Sequence, residues 1–212
     1  MTRLIGLILI AVASVAAPAR ADDVPAATAC HFRAFAIDRD PGGTNIRAAP
    51  RGDAAILARM PALVHLSPDD LVGTEFDVIA TKDGWLQIRN ADWGDPTGKS
   101  ANNHWDFAGP GWIAGSLVGV QVADARLRTA PSDDAPIVVW LMDMTRGWGP
   151  DSFAVKRIHG CEGGFVELTV SPPQSNKTRR GWVSHVCASQ LTTCDYSYPD
   201  GVHLPQDYRY PD

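Results

Sequence analysis

The stretch Thr44-Asn45-Ile46-Arg47-Ala48-Ala49-Pro50 returns 81 positions later as Ala125-Arg126-Leu127-Arg128-Thr129-Ala130-Pro131. Further along, Gly84-Trp85-Leu86-Gln87-Ile88 returns after 80 positions as Gly164-Phe165-Val166-Glu167-Leu168. Gly111-Trp112-Ile113 then returns after 70 as Gly181-Trp182-Val183. Three blocks in the same order make an internal duplication, and self-similarity at a fixed spacing marks a repeated structural unit. The shorter last offset places a longer loop in the first copy, Asn90 to Pro110, rich in Asp, Asn, Gly and Trp.

Each copy reads as short strands. Phe76–Thr81 and Phe153–Ile158 are strand-like runs, each followed by a Gly-containing turn and an alternating segment. A period of two puts Leu86 and Ile88 on one face in the first copy, and Val166, Leu168 and Val170 on one face in the second. A hairpin is the joint reading, followed by a polar loop and the Gly-Trp-aliphatic strand. Composition agrees. Gly and Pro total 35, and Asp outnumbers Glu 21 to 3; Asp favours turns and caps where Glu favours helices. The best helical candidate, Ala54 to Leu66, is interrupted by Pro61. Each half is therefore expected to be a small all-β unit of about five strands and roughly 70–90 residues.

This pattern resembles the bacterial SH3-like domain family, which carries Asn-hydrophobic-Arg-x-x-Pro on an early strand, Gly-Trp in a central hairpin and a second Gly-Trp-hydrophobic on a late strand. The first copy supplies Asn45-Ile46-Arg47-Ala48-Ala49-Pro50, Gly84-Trp85 and Gly111-Trp112-Ile113. The second supplies Arg126-Leu127-Arg128-Thr129-Ala130-Pro131, Gly164-Phe165 and Gly181-Trp182-Val183, departing from the pattern at Arg126 and Phe165. The resemblance implies two tandem SH3-like β-barrels, at residues 30–120 and 121–194. It also implies a ligand such as a peptidoglycan stem peptide or a short protein segment.

The first residues read as an export signal. Arg3 precedes an apolar run from Leu4 to Ala17, and Ala19-Arg20-Ala21 offers a small-x-small cleavage site. Residues 1–21 are expected to be removed, leaving a product without stable membrane insertion, because the run is shorter than the ~20 apolar residues of a spanning helix. Cys30 lies too far from that run, and in the wrong context, for a lipid anchor. The net charge is −5; without the two arginines of the signal it falls to −7, which argues against a nucleic-acid partner. A periplasmic or secreted location follows. Cys30, Cys161, Cys187 and Cys194 are an even set, which in an exported chain reads as two disulfides with three possible connectivities. If the hairpin strand and the strand after Gly181 pair antiparallel, Cys161 comes close to Cys187, and Cys30 is left for Cys194.

The remaining motifs carry little chemistry. His159-Gly160-Cys161 and His185-Val186-Cys187 form a doubled His-x-Cys conceivable for zinc, but the disulfide reading takes both cysteines. No Gly-x-Ser-x-Gly occurs, and no cysteine opens a helix as a hydrolase nucleophile would. Gly94-Asp95-Pro96-Thr97-Gly98-Lys99-Ser100 fails the phosphate-loop spacing, because Trp93 stands where its first Gly belongs. Arg51-Gly52-Asp53 and the sequon Asn176-Lys177-Thr178 read as turn and pattern matches. No catalytic residue, metal or cofactor is expected. The aromatic residues are more informative. Trp85 faces away from Leu86 and Ile88, and Trp93 and Trp105 lie in the long loop beside Asp92 and Asp106. These five residues with Arg47 form the candidate groove for a peptide or glycan. The alternative is a scaffold whose barrels contact other envelope proteins. All four tyrosines fall in residues 195–212, with Pro199, Pro205 and Pro211. That tail is expected to be extended or disordered, or to dock on a barrel or a partner as a polyproline-type segment.

Overall fold

A computed structural model describes residues 26–68, 70–94, 104–198 and 202–211; the export signal and most of the phosphate-loop lookalike lie outside them. The strands of the first half are β1 (Thr28–Ala36), β2 (Asn45–Arg47), β3 (Ile56–Arg59), β4 (Val64–His65), β5 (Leu71–Val72), β6 (Glu75–Lys82), β7 (Trp85–Trp93), β8 (Trp105–Phe107), β9 (Gly111–Ala114) and β10 (Val118–Gly119). Those of the second are β11 (Gln121–Val122), β12 (Arg126–Arg128), β13 (Ile137–Trp140), β14 (Ala154–Glu162), β15 (Phe165–Ser171), β16 (Arg179–Val183) and β17 (Val186–Cys187). The first sheet runs β10-β1-β6-β7-β9-β2-β3 with β8 added on β7, and the second runs β13-β12-β16-β15-β14. The Ala54–Leu66 segment forms β3 and β4, not a helix.

The duplication extends to register. Asn45, Ile46 and Arg47 face Arg59, Ala58 and Ile56. Arg126, Leu127 and Arg128 face Trp140, Val139 and Ile137, with the same bulge after the aliphatic residue. In the hairpins, Val78 on Ile88 and Thr81 on Leu86 match Ile158 on Leu168 and Cys161 on Val166. Leu86 on Ile113 and Gln87 on Trp112 match Val166 on Val183 and Glu167 on Trp182. Asp83 and Gly84, at φ 51° and 77°, make the tight turn between β6 and β7, where the twist of the strands calls for left-handed backbone. The alternating apolar face of each hairpin is the core: Phe76, Val78, Leu86, Ile88, Ile158, Val166, Leu168 and Val170 are at most 1 % exposed.

The packing also explains the second Gly-Trp motif. A side chain on Gly111 would collide with Ile46, and one on Gly181 would lie 2.6 Å from the Arg128 carbonyl oxygen and 2.8 Å from Leu127 Cγ. Glycine there lets the aliphatic residue of the early strand seat directly on the late one.

The chain departs from the expected closed barrels. The end strands of the two sheets do not pair with each other, so no sheet closes among the described residues. The two copies share one hydrophobic core cluster. At their junction β1 meets the tip of the β14–β15 hairpin, with His31 N donating to Gly163 O at 2.9 Å and Gly163 N to Ala29 O at 3.1 Å.

That junction corrects the disulfide pairing. The bridges are Cys30–Cys161 and Cys187–Cys194, not Cys161–Cys187 and Cys30–Cys194. Cys161 does sit near the end of β14, but β1 runs alongside that tip and brings Cys30 to it. After Val183 the chain turns away at Ser184-His185, where Ala123 N donates to His185 O at 3.0 Å. The strand carrying Cys187 then pairs with β11, not with the hairpin. Two disulfides fit an oxidising compartment. No helix among the described residues is long and apolar enough to cross a membrane.

The described residues of the tail, 195–198 and 202–211, form no strand or helix and lie on the second copy. Ala125 N donates to the Tyr198 hydroxyl at 2.9 Å, Met144 N to Tyr208 O at 3.0 Å, and Tyr210 N to Asp143 Oδ2 at 3.1 Å.

Non-reducing peptide mapping is expected to recover Cys30 joined to Cys161. In the chain-entropy model the bridge spanning 131 residues contributes about 5 kcal/mol and the one spanning 7 about 2 kcal/mol. Urea unfolding of Cys30→Ser/Cys161→Ser should therefore show a larger loss than that of Cys187→Ser/Cys194→Ser. Gly181→Ala should cost about 1–3 kcal/mol by overpacking, read in the same assay.

Candidate functional site

β7 carries three of the six sequence-predicted residues, Trp85, Asp92 and Trp93, and separates the first from the other two. Trp85 opens the strand and Trp93 closes it. Eight residues of extended chain span roughly 27 Å, so one groove cannot be walled by both. Trp85, half-buried, is the diagonal neighbour of the buried Trp112 on the outer face. Arg47 is occupied by its own copy, with Nη1 donating to Ala54 O at 2.8 Å and closing the loop after β2. These two residues are not part of one site with the others.

The other four come together. β8 pairs with β7, so Trp93 lies opposite Trp105 and Asp92 opposite Asp106. Both tryptophans, expected in a loop, stand on strands. Their side chains turn inward, Trp93 buried and Trp105 packed on the core, while Asp92 and Asp106 face solvent. Glu75 of β6 lies opposite Asp92 on its other side. Three acidic residues thus stand in a row across β6, β7 and β8. Like charges directly opposite one another weaken a ladder. Arg33 answers part of this row, 3.4 Å from Glu75 and 3.7 Å from Asp77, and His104 lies 3.6 Å from Asp106; Asp92 stands between them.

This end of the sheet borders a cleft of about 430 Å³, lined by Arg33, Glu75, Asp92, Trp93, Gln190 and Leu191 among others. Its far wall is the Cys187–Cys194 loop. Gln190 fixes that wall with two bonds to one residue: Gly73 N donates to its Oε1 at 2.7 Å, and its Nε2 donates to Gly73 O at 2.9 Å. Leu191 is exposed at the rim.

A second cluster was missed by the sequence reading. Asp124, Arg126 and Arg128 alternate along β12 and its entry, which puts them on one face, and that spacing was the available signal. Asp124 is fully buried. Arg126 binds it in a fork, Nε to Oδ1 at 2.8 Å and Nη2 to Oδ2 at 3.0 Å. Arg128 Nη1 donates to Asp124 Oδ2 at 3.1 Å, and Ser184 Oγ donates to the same oxygen at 2.6 Å. Burial pushes Asp124 up, but the hydrogen bonds from Arg126 and Ser184, with the charge of Arg126, outweigh it and hold the carboxyl below its usual range. Ser184 Oγ is also 3.0 Å from His185 Nδ1. The carboxylate holds the serine rather than the imidazole, so this trio lacks the order that activates a serine nucleophile.

Both cysteines of the doubled His-x-Cys are in disulfides, and His159 Nε2 is 2.8 Å from Thr169 Oγ1. Among the described residues no group of three His, Cys, Asp or Glu could hold a metal ion. Compared with models of protein families, with curated proteins and with solved structures, the chain matches none.

Asp124→Asn leaves two buried guanidinium groups short of a counter-charge and should cost about 3–5 kcal/mol, read as a lowered urea midpoint at neutral pH. A lowered folded pKa means that the contribution of Asp124 is complete above the unfolded value of about 3.9 and is lost as pH falls through the folded value. The acid limb of the stability curve should therefore flatten in the variant.

Proposed function

We propose that this protein is a non-catalytic binding module of the bacterial cell envelope, built from two SH3-like repeats. It takes a short peptide, such as a peptidoglycan stem peptide or a protein segment, in the cleft at the Trp93 end of the first sheet. The observation that carries this reading is the cleft itself, in which the Trp93 wall stands beside Glu75 and Asp92, two of the three acidic residues of the row. Its volume of about 430 Å³ is in the range of pockets that hold small ligands. Asp92, the member of the row that stands between the Arg33 and His104 contacts, selects a peptide bearing an amino group, whose charge would relieve the repulsion. The disulfides and the signal-like N-terminus support an extracytoplasmic setting, and the repeated motifs support the SH3-like assignment. The module as proposed has no cofactor.

A scaffold role is the second reading. It is favoured by Ile56 and Leu57 on β3 and by Ile137 and Val138 on β13, which are exposed at the same repeat positions on the edge strands of the two sheets. Exposed apolar edge strands invite pairing with another chain.

Co-sedimentation with purified insoluble peptidoglycan tests the two readings. The chain is expected to pellet. Asp92→Lys, an exposed change that leaves the core intact, should reduce the pelleted fraction at least tenfold, and Trp93→Ala should do the same. Trp85→Ala should pellet as the unaltered chain does. Equal pelleting of all four would remove the cleft from consideration. Failure of the unaltered chain to pellet would turn the reading to the scaffold.

A further inference from the structure

The tail sits on the second copy as a ligand would, with no ladder joining it to either sheet. Its contacts are hydroxyl groups and rings on fixed points of the body. Tyr198 takes the Ala125 N–H, its ring lies 5.5 Å from the Arg126 guanidinium, and Tyr196 accepts from Arg126 Nη2 at 3.2 Å and stacks 4.0 Å from the His185 ring. Burial raises the pKa of both tyrosines. Tyr208 and Tyr210 anchor a second leg at Met144 and Asp143.

The body builds these fixed points without the tail. Arg126 is aimed by Asp124, which Arg128 and Ser184 also hold. Asp143 is already bound by Thr145 N at 2.9 Å, Thr145 Oγ1 at 2.7 Å and Arg146 N at 3.0 Å. The tail also fits imperfectly. The Tyr210 hydroxyl is buried with no hydrogen-bond partner among the described residues. Between the two legs a cavity of about 390 Å³ remains, walled by Met142, Met144, Trp148 and Pro150. Methionines make such a wall adaptable.

The duplication shows that the fold does not need this cover. In the first copy a cleft of about 460 Å³ includes Pro41, Ala62 and Leu63, the repeat positions of Val122, Asp143 and Met144. There, among the described residues, no tail-like segment is seated on the same end of the unit.

We propose that this face of the second copy is a docking surface for an extended segment of a partner protein carrying two tyrosines two residues apart, and that the tail is its intramolecular competitor. The Tyr196-Ser197-Tyr198 leg defines the chemistry: an aromatic-hydroxyl residue at each alternate position, one on Arg126 and His185, the other on the Ala125 N–H. A tethered tail acts at an effective concentration on the order of millimolar. A partner therefore binds with its affinity reduced by the fraction of chains whose tail is released. This surface is separate from the Trp93 cleft and stands or falls apart from it.

The test is fluorescence anisotropy with a labelled synthetic peptide of residues 195–212, titrated with the full chain and with Tyr196→Ala/Tyr198→Ala. The double variant, whose own tail is weakened, should bind the probe at least tenfold more tightly than the unaltered chain. A probe carrying both Tyr→Ala changes should bind neither. Adding Met144→Glu, at an exposed wall residue, should abolish the gain, whereas Trp93→Ala should not affect it. If the double variant loses its fold by circular dichroism, Tyr198→Phe carries the same comparison with a gain of a few fold. The proposal is overturned if the weakened tail brings no tighter binding, or if the tyrosine-free probe binds equally well. Sedimentation velocity that shows the unaltered chain dimerising by tail exchange would make a second copy the occupant and would also overturn it.

Discussion

Short strands keep their register only where a side chain has one place to go. In this chain that place is above a glycine: Ile46 seats on Gly111 and Leu127 on Gly181. Each contact pins the early strand to the late one, and the late strand in turn holds the hairpin at Leu86–Ile113 or Val166–Val183. A shift by one residue would turn Ile46 and Leu127 to the outer face and bring Asn45 or Arg126 inward. The bulge that follows each aliphatic residue occurs in both copies because the same contact sets it.

The two copies then diverge where the early strand begins. The second has Asp124, Arg126 and Arg128; the first has Gly43, Asn45 and Arg47 at those positions. Only the last arginine is kept, and its partner changes from a loop carbonyl to a buried carboxylate. The first copy replaces the buried Asp124–Arg126 pair by the exposed bond of Arg59 to Asn45 and gathers acidic residues at the far end of β7. The second concentrates charge beneath its tail. One backbone thus presents two chemically different surfaces, with the differences confined to a few positions.

The sequence carried the parts of the fold that depend on local period. The alternation in Leu86-Gln87-Ile88 and Val166-Glu167-Leu168 identified the inner face, and the repeated blocks identified which strands correspond. It did not carry what depends on distant neighbours. Cys30 meets Cys161 because β1 continues past its own sheet to the tip of a hairpin in the other copy, and no spacing records that. Trp93 and Trp105 looked like loop residues because polar residues surround them, yet the surplus length of that loop extends β7 and adds β8. Trp85 and Trp93 were read as one groove because alternation says which side a residue faces, not how far along the strand it stands. The alternation of Asp124, Arg126 and Arg128 is legible in the sequence, but that the face they share is buried depends on β16 and the tail, which no local period records.

The Cys30–Cys161 bridge has a mechanical consequence. A pull between the start of β1 and the C-terminal end of the chain would travel across the bond from residue 30 to residue 161 and bypass the chain between them, a sequence separation of 131. The strands from β2 to β13 would carry no tension, and extension would come from the chain after β14, which includes the far wall of the cleft. That arrangement would keep the sheet of the first copy in shape while the strands after the bridge stretch.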